Sequence, residues 1–185
     1  MDVLTEEEGK LAVRVARQAL EATVAERSYC HENLPPIFRE KRGVFVTLKI
    51  RDGLRGCIGI PYPVMPLGEA LVEAAISAGL QDPRFKPVTV RELPTISLEV
   101  TVLSLPVQLR CPPQDRPNEV KVGRHGIIVS HPRTSGLLLP QVPLEYGWDC
   151  RTFLEHSCLK AGLEKDCWTK QDVEIFTFEG QIFRE

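Results

Sequence analysis

Leu54-Arg55-Gly56-Cys57-Ile58-Gly59 sets a guanidinium and a thiol at alternate positions of one short run and interleaves them with glycines. Positive neighbours favour the thiolate, which is how a cysteine is ordinarily made nucleophilic. An arginine two residues away is suited to hold an anionic group of a substrate. Glycine within a strand marks a bulge or a close approach by a ligand or another backbone, so Gly56 and Gly59 open the run to either. The bland alternative is that Cys57 is a small buried hydrophobe and that the glycines let a helix pack closely.

Three other stretches carry chemistry. Asp82-Pro83-Arg84-Phe85 puts a carboxylate, a rigid turn, a guanidinium and an aromatic ring in one loop, which reads equally as a ligand clamp and as a loop tied down by its own ion pair. Thr152, His156 and Lys160 fall at i, i+4 and i+8 and share a helical stripe, which makes His156 the candidate general base; a half-exposed, hydrogen-bonded histidine is the plain alternative. Glu99 alternates with apolar neighbours and lies on the polar face of a strand. Cys30-His31 is read as incidental, because adjacent side chains point apart, and His125 as a solvated turn residue. Cys150, His156, Cys158 and Cys167 are the right types for zinc at the wrong spacing, so no metal site is expected. There is no Walker loop, dinucleotide fingerprint or nucleophile elbow, and no cofactor is expected.

The elements that would position these groups follow from periodicity. Thr5 with Glu8 forms a capping box, and Leu11, Ala12, Val15, Ala16, Ala19 and Leu20 make an apolar stripe, predicting a helix from there to near Tyr29. Val44 to Ile50 alternates as a strand. A two-residue turn at Asp52-Gly53 would bury Arg55 among aliphatics. The spacing instead predicts a three-residue loop, Arg51-Asp52-Gly53, with Gly53 left-handed at a bulge. Leu48 then faces Gly56, Val46 faces Ile58, and the other face carries Lys49 opposite Arg55 and Thr47 opposite Cys57. Leu67 to Ala78 reads as a helix closed by Gly79, and Thr89 with Glu92 as a cap before a strand from Ile96 to Val102. The proline-rich stretch from Leu105 to Asn118 reads as a flexible excursion bordering a minor lobe within about 105–145. Short strands are expected at Ile127 to Val129 and Leu137 to Leu139, a helix from Cys150 to Ala161 capped by Asp149 and closed by Gly162, and a last strand from Val173 to Phe178.

At 185 residues the chain suits one compact unit, and hydrophobic and charged fractions of 43% and 26% are those of a globular protein. No apolar run is long enough to span a bilayer, and the acidic first residues lack the pattern of a signal peptide, so a cytosolic protein with no membrane association is expected. A net charge of -2 argues against nucleic-acid binding by bulk charge. Six cysteines without a C-x-x-C pair predict free thiols.

Gly43-Val44-Phe45-Val46-Thr47-Leu48, Leu54 to Gly59, Asp82 to Phe85, Gly136-Leu137-Leu138-Leu139-Pro140-Gln141-Val142 and Lys160-Ala161-Gly162-Leu163, in that order, resemble the AMMECR domain family over nearly the whole chain. The resemblance implies an α+β fold, an antiparallel sheet flanked by helices with a smaller sub-lobe and a cleft at the Leu54–Gly59 motif. It implies no known reaction, although members have been proposed to be enzymes on the strength of that motif. Prokaryotic relatives are often encoded with, or fused to, Memo-like and radical-SAM proteins. Neither such a fusion nor the low-complexity leader of animal members is expected of this chain. Two classes of function remain. One is an enzyme with Cys57, Arg55 and His156 or Glu99 as catalytic groups, and Lys49, Gly56, Gly59, Asp82, Arg84, Phe85 and Gln141 around its substrate. The other is a non-catalytic module holding a small molecule or peptide.

Overall fold

The computed structural model describes residues 3–30 and 33–185, so the expectation for His31 lies outside the described residues. The chain divides into two units, residues 1–103 with 181–185, and residues 104–180. The second is longer than the stretch of about 105–145 expected of a minor lobe. Both units are α+β.

The first unit is built on a four-stranded sheet of β1 (Val44–Ile50), β2 (Gly53–Ile60), β3 (Ile96–Leu103) and β8 (Gly180–Arg184), in the order β2-β1-β3-β8. Alternation decides its faces. Val44, Val46, Leu48, Leu98, Val100 and Val102 are buried on one side, under α1 (Glu6–Val24) and α2 (Leu67–Leu80). The capping box forms as expected: Thr5 Oγ1 accepts from Glu8 N at 3.3 Å and the Glu8 carboxylate accepts from Thr5 N at 2.8 Å. α1 ends at Val24, short of Tyr29. α2 runs through Gly79 rather than stopping there. Gly79 is buried in the helix, where a side chain would strike Leu20 at 2.4 Å, so it is a packing glycine and not a cap.

The hairpin departs from expectation at its tip. Thr47 faces Cys57, Leu48 faces Gly56 and Val46 faces Ile58, as the alternation predicts, but Lys49 faces Leu54 and Ile50 faces Gly53. The turn therefore has two residues, Arg51 and Asp52, and the bulge falls at Arg55, between Leu54 and Gly56. The left-handed residue is Arg51, at φ 55°, and Gly53 is not left-handed. The Asp52-Gly53 turn, whose register would bury the guanidinium among aliphatics, does not form; the turn lies one residue earlier, and the bulge turns Arg55 out of the apolar row.

The second unit carries the sheet β4 (Val107–Gln108), β5 (Gly126–His131), β6 (Thr134–Leu138) and β7 (Glu174–Phe178), in the order β4-β7-β5-β6. Ile127, Val129 and Ile175 meet Phe153 and Leu154 of α5 (Cys150–Lys160) in its core. Asp149 caps α5 through Thr152 N at 2.7 Å, and Gly162, at φ 73°, ends it, with Leu163 N donating to Cys158 O at 3.0 Å. That reversal returns the chain to the helix and corrects the expectation of six free thiols: Cys158 and Cys167 form a disulfide, with Cα atoms 5.9 Å apart. Cys30, Cys57, Cys111 and Cys150 are free. The proline-rich excursion is held in place. It holds a short helix, α3 (Arg116–Glu119), whose Arg116 is buried, and is followed at some distance by a second, α4 (Val142–Tyr146). Among the described residues, no helix is long and apolar enough to cross a membrane.

Candidate functional site

Cys57 sits in the middle of β2 on the sheet face opposite the helices, half-buried. Its thiol lies 3.2 Å from Thr47 Oγ1 on β1, and Thr47 in turn faces Glu99 on β3, so one cross-strand row carries a thiol, a hydroxyl and a carboxylate. Beside this row Lys49 Nζ donates to Glu99 Oε2 at 3.1 Å, and Arg184 Nε donates to the same oxygen at 2.8 Å. Burial works to raise the Glu99 carboxyl, but the hydrogen bonds from Arg184 and Lys49 outweigh it and hold it below the ordinary range.

β2 is an edge strand, with β1 on one side only. An edge exposes alternate backbone N–H and C=O groups that need partners, and at Cys57 the Asp82 to Phe85 loop supplies both. Cys57 N donates to Asp82 Oδ2 at 2.8 Å, and Arg84 Nη2 donates to Cys57 O at 3.1 Å. The clamp is braced internally, since Arg84 Nε and Nη2 donate to the two Asp82 oxygens at 2.9 and 2.7 Å. Asp82 is 4% exposed. The hydrogen bond from Arg84, against desolvation and with help from Cys57 N–H, holds its carboxyl well below the usual carboxylate range. Asp82 and Arg84 thus fix the strand under the thiol, and as clamps they act on Cys57's own backbone.

Arg55 is placed differently from expectation. The bulge takes it away from Lys49, and its Nε donates to Glu92 Oε1 at 2.8 Å while its guanidinium lies 6.0 Å from the centre of the Phe85 ring, which Arg84 also approaches at 5.6 Å. Arg55 holds the Glu92 carboxyl down at about 2, assisted by Thr89. Both cations that the sequence sets beside Cys57 are therefore paired with carboxylates. The sequence signals Glu92 only as the partner of Thr89, and that contact forms as well, the other Glu92 carboxylate oxygen accepting from Thr89 N at 2.9 Å. Nothing in the sequence pointed to Arg184.

The glycines serve packing. A side chain at Gly56 would come within 2.2 Å of the Ala78 carbonyl oxygen of α2, and one at Gly59 within 2.2 Å of the Phe45 ring. His156 and Gln141 belong to the second unit. The His156 ring is stacked on Trp148 at 3.8 Å and 10°, and Trp148 on Tyr146 at 4.9 Å and 18°. Gln141 is exposed just before α4, its carbonyl accepting from Leu144 N at 3.0 Å. Among the described residues no cluster of His, Cys, Asp or Glu is arranged to hold a metal, and the sulfurs of Cys158 and Cys167 are bonded to each other.

Comparison with known proteins gives a consistent result. The family model described as AMMECR1 matches residues 13–183. Protein MJ0810 of Methanocaldococcus jannaschii is 50% identical over 188 residues, covering 100% of this chain and 94% of that protein. Protein MK0488 of Methanopyrus kandleri is 52% identical over 188 residues, covering 98% and 90%. The crystal structure of uncharacterized protein PH0010 from Pyrococcus horikoshii matches with a TM-score of 0.84 at 44% identity, over 100% of this chain and 94% of that one.

Proposed function

This chain belongs to the AMMECR1 family, and we propose that it is an enzyme using the Cys57 thiol as nucleophile toward a small molecule or peptide laid on the polar face of the first sheet. The observation that carries the reading is the arrangement at Cys57: a half-buried thiol 3.2 Å from a hydroxyl, on a strand whose N–H and C=O at that residue are both held by one ion-paired loop. Fixing the backbone of an attacking residue lowers the entropy lost on reaching the reactive geometry. Thr47 is the immediate hydrogen-bond partner of Sγ; Glu99, next in the row, is held ionised by Lys49 and Arg184 and is too weak a base to take the thiol proton, which leaves to water. Arg55 leaves the anion-holding role, since Glu92 occupies it. A partnership with a Memo-like or radical-SAM protein rests on the family resemblance alone.

A second reading, a non-catalytic binding face, is favoured by one observation: Lys49 and Arg55 both carry carboxylate partners, which suits a polar uncharged ligand better than a charged intermediate. p-Nitrophenyl acetate, a generic acyl donor, separates the two. Attack by Sγ on its carbonyl carbon expels p-nitrophenolate and leaves an acetyl thioester on Cys57. The enzyme reading expects a stoichiometric burst and an acetyl adduct on Cys57 that are lost in Cys57→Ser. A burst unchanged in Cys57→Ser overturns it.

A further inference from the structure

The second unit buries a guanidinium that no carboxylate among the described residues neutralises. Arg116 is 5% exposed. Its Nη1 donates to the carbonyls of Trp168 and Lys170 at 2.6 and 3.1 Å, and its Nη2 to that of Val173 at 3.0 Å. Its Nε has no acceptor, and among the described residues no acidic side chain pairs with it. Burial pushes the group below its ordinary value, partly offset by the Cys111 thiol. A buried cation without a counter-charge is costly, and most such groups in proteins are paired. The three carbonyl bonds explain why the arginine is there, since they stitch the 113–117 segment to the 168–173 segment. They leave its charge uncompensated.

A second donor in the same place lacks an acceptor. Trp168 is also 5% exposed, and its indole Nε1–H is buried without a partner. The two stitched segments wall a concavity of about 590 Å³ lined by Pro113, Pro117 and Trp168 together with the polar Gln114, Thr169, Gln171 and Arg151. The Arg151 guanidinium lies over the Trp168 ring at 5.5 Å; its side chain is 69% exposed and pairs loosely with Glu155 at 3.9 Å, one turn along the helix. The concavity therefore combines an apolar wall of prolines and indole, an open guanidinium at its rim, and a fixed buried positive charge in the segments that form it. Low-dielectric walls focus such a field outward.

We propose that this concavity binds the oxyanion group, carboxylate or phosphate, of a small organic ligand whose apolar part rests on Pro113, Pro117 and the Trp168 ring. Arg151 is the direct partner, Arg116 the positive charge held within the walls, and the Trp168 indole N–H a donor that reports occupancy. The site lies within the second unit and does not depend on the reading given to Cys57.

The test uses the full chain, labelled with nitrogen-15, titrated with benzoate in one arm and phenyl phosphate in the other at constant ionic strength, following the two indole N–H resonances. The expected result is a saturating shift of the Trp168 signal, larger than that of Trp148, in at least one arm; the tighter arm identifies the oxyanion. Arg151→Gln, a change at an exposed side chain that leaves the Arg116 stitching intact, should weaken that binding about tenfold through loss of one charge-assisted contact. Linear, unsaturated shifts in both arms overturn the proposal. So does a Trp148 response equal to that of Trp168, or an affinity unchanged in Arg151→Gln.

Discussion

Asp82→Asn tests the edge clamp beneath the thiol. The carboxylate accepts four hydrogen bonds, from Cys57 N, Arg84 N, Arg84 Nε and Arg84 Nη2. The amide keeps the shape but turns one oxygen into a donor, which then faces a donor whichever way it is oriented. Removing one partner of a fully buried ion pair costs about 3–5 kcal/mol. Here the Arg84 side chain is 54% exposed and is rehydrated when released, so the ionic part is discounted. What remains is an unsatisfied buried N–H or its equivalent and weakened contacts to the arginine, together about 2–3 kcal/mol. For a chain of this length that lowers the melting temperature by about 5–10 °C. The effect has a pH signature. The folded carboxyl titrates below its unfolded value of about 4, so its contribution is fully present above that value and is lost as pH falls through the depressed folded one. Wild type should therefore lose more stability than Asp82→Asn between pH 5 and the acid limit. Urea unfolding across pH and amide exchange at Cys57 measure both. A variant within about 0.5 kcal/mol of wild type, with Cys57 amide protection unchanged, refutes the clamp.

Gly56→Ala should cost about 2–3 kcal/mol or more in urea unfolding, because the new methyl meets a helix carbonyl that cannot rotate away; a neutral result would mean that the close approach is absent. Gly53→Ala should be neutral or stabilising by about 0.5 kcal/mol, since Gly53 is not left-handed and its nearest neighbour is 3.5 Å away, and a marked loss would restore the three-residue loop. Reducing Cys158–Cys167 opens a loop with a sequence separation of 9 and should destabilise the second unit by about 2–3 kcal/mol, read as a lower melting temperature with reductant; coincident melts would contradict the bond.

Alternation and capping were enough to place β1, β3, α1 and α5, because each buries one face of a regular repeat whose period is written in the residue types. The inner register of the hairpin was legible for the same reason. Its tip was not, since the sequence contains two ways to keep Arg55 out of the core, a longer loop or a bulge, and nothing local decides between them. The disulfide was invisible for a related reason: nine residues of separation become a contact only after Gly162 reverses the chain. At the site, Thr47 and Glu99 followed from strand faces, whereas the Arg55 to Glu92 and Arg184 to Glu99 pairs join residues 37 and 85 positions apart. Periodicity says nothing about which elements become neighbours over such distances. The conformational reason for the glycines was the weaker half of the reading, and the close approach of α2 to Gly56 was the stronger.

The central claim, that Cys57 is the group the first sheet is built to present, is tested most directly by limiting alkylation of the native protein with iodoacetamide across pH and mass-spectrometric ranking of Cys30, Cys57, Cys111 and Cys150. Cys30 is exposed and the other three are half-buried, so accessibility alone puts Cys30 first. The account predicts that Cys57 is modified before all three others in spite of its lesser exposure. Modification of Cys30 first, with Cys57 untouched until the protein unfolds, would contradict it.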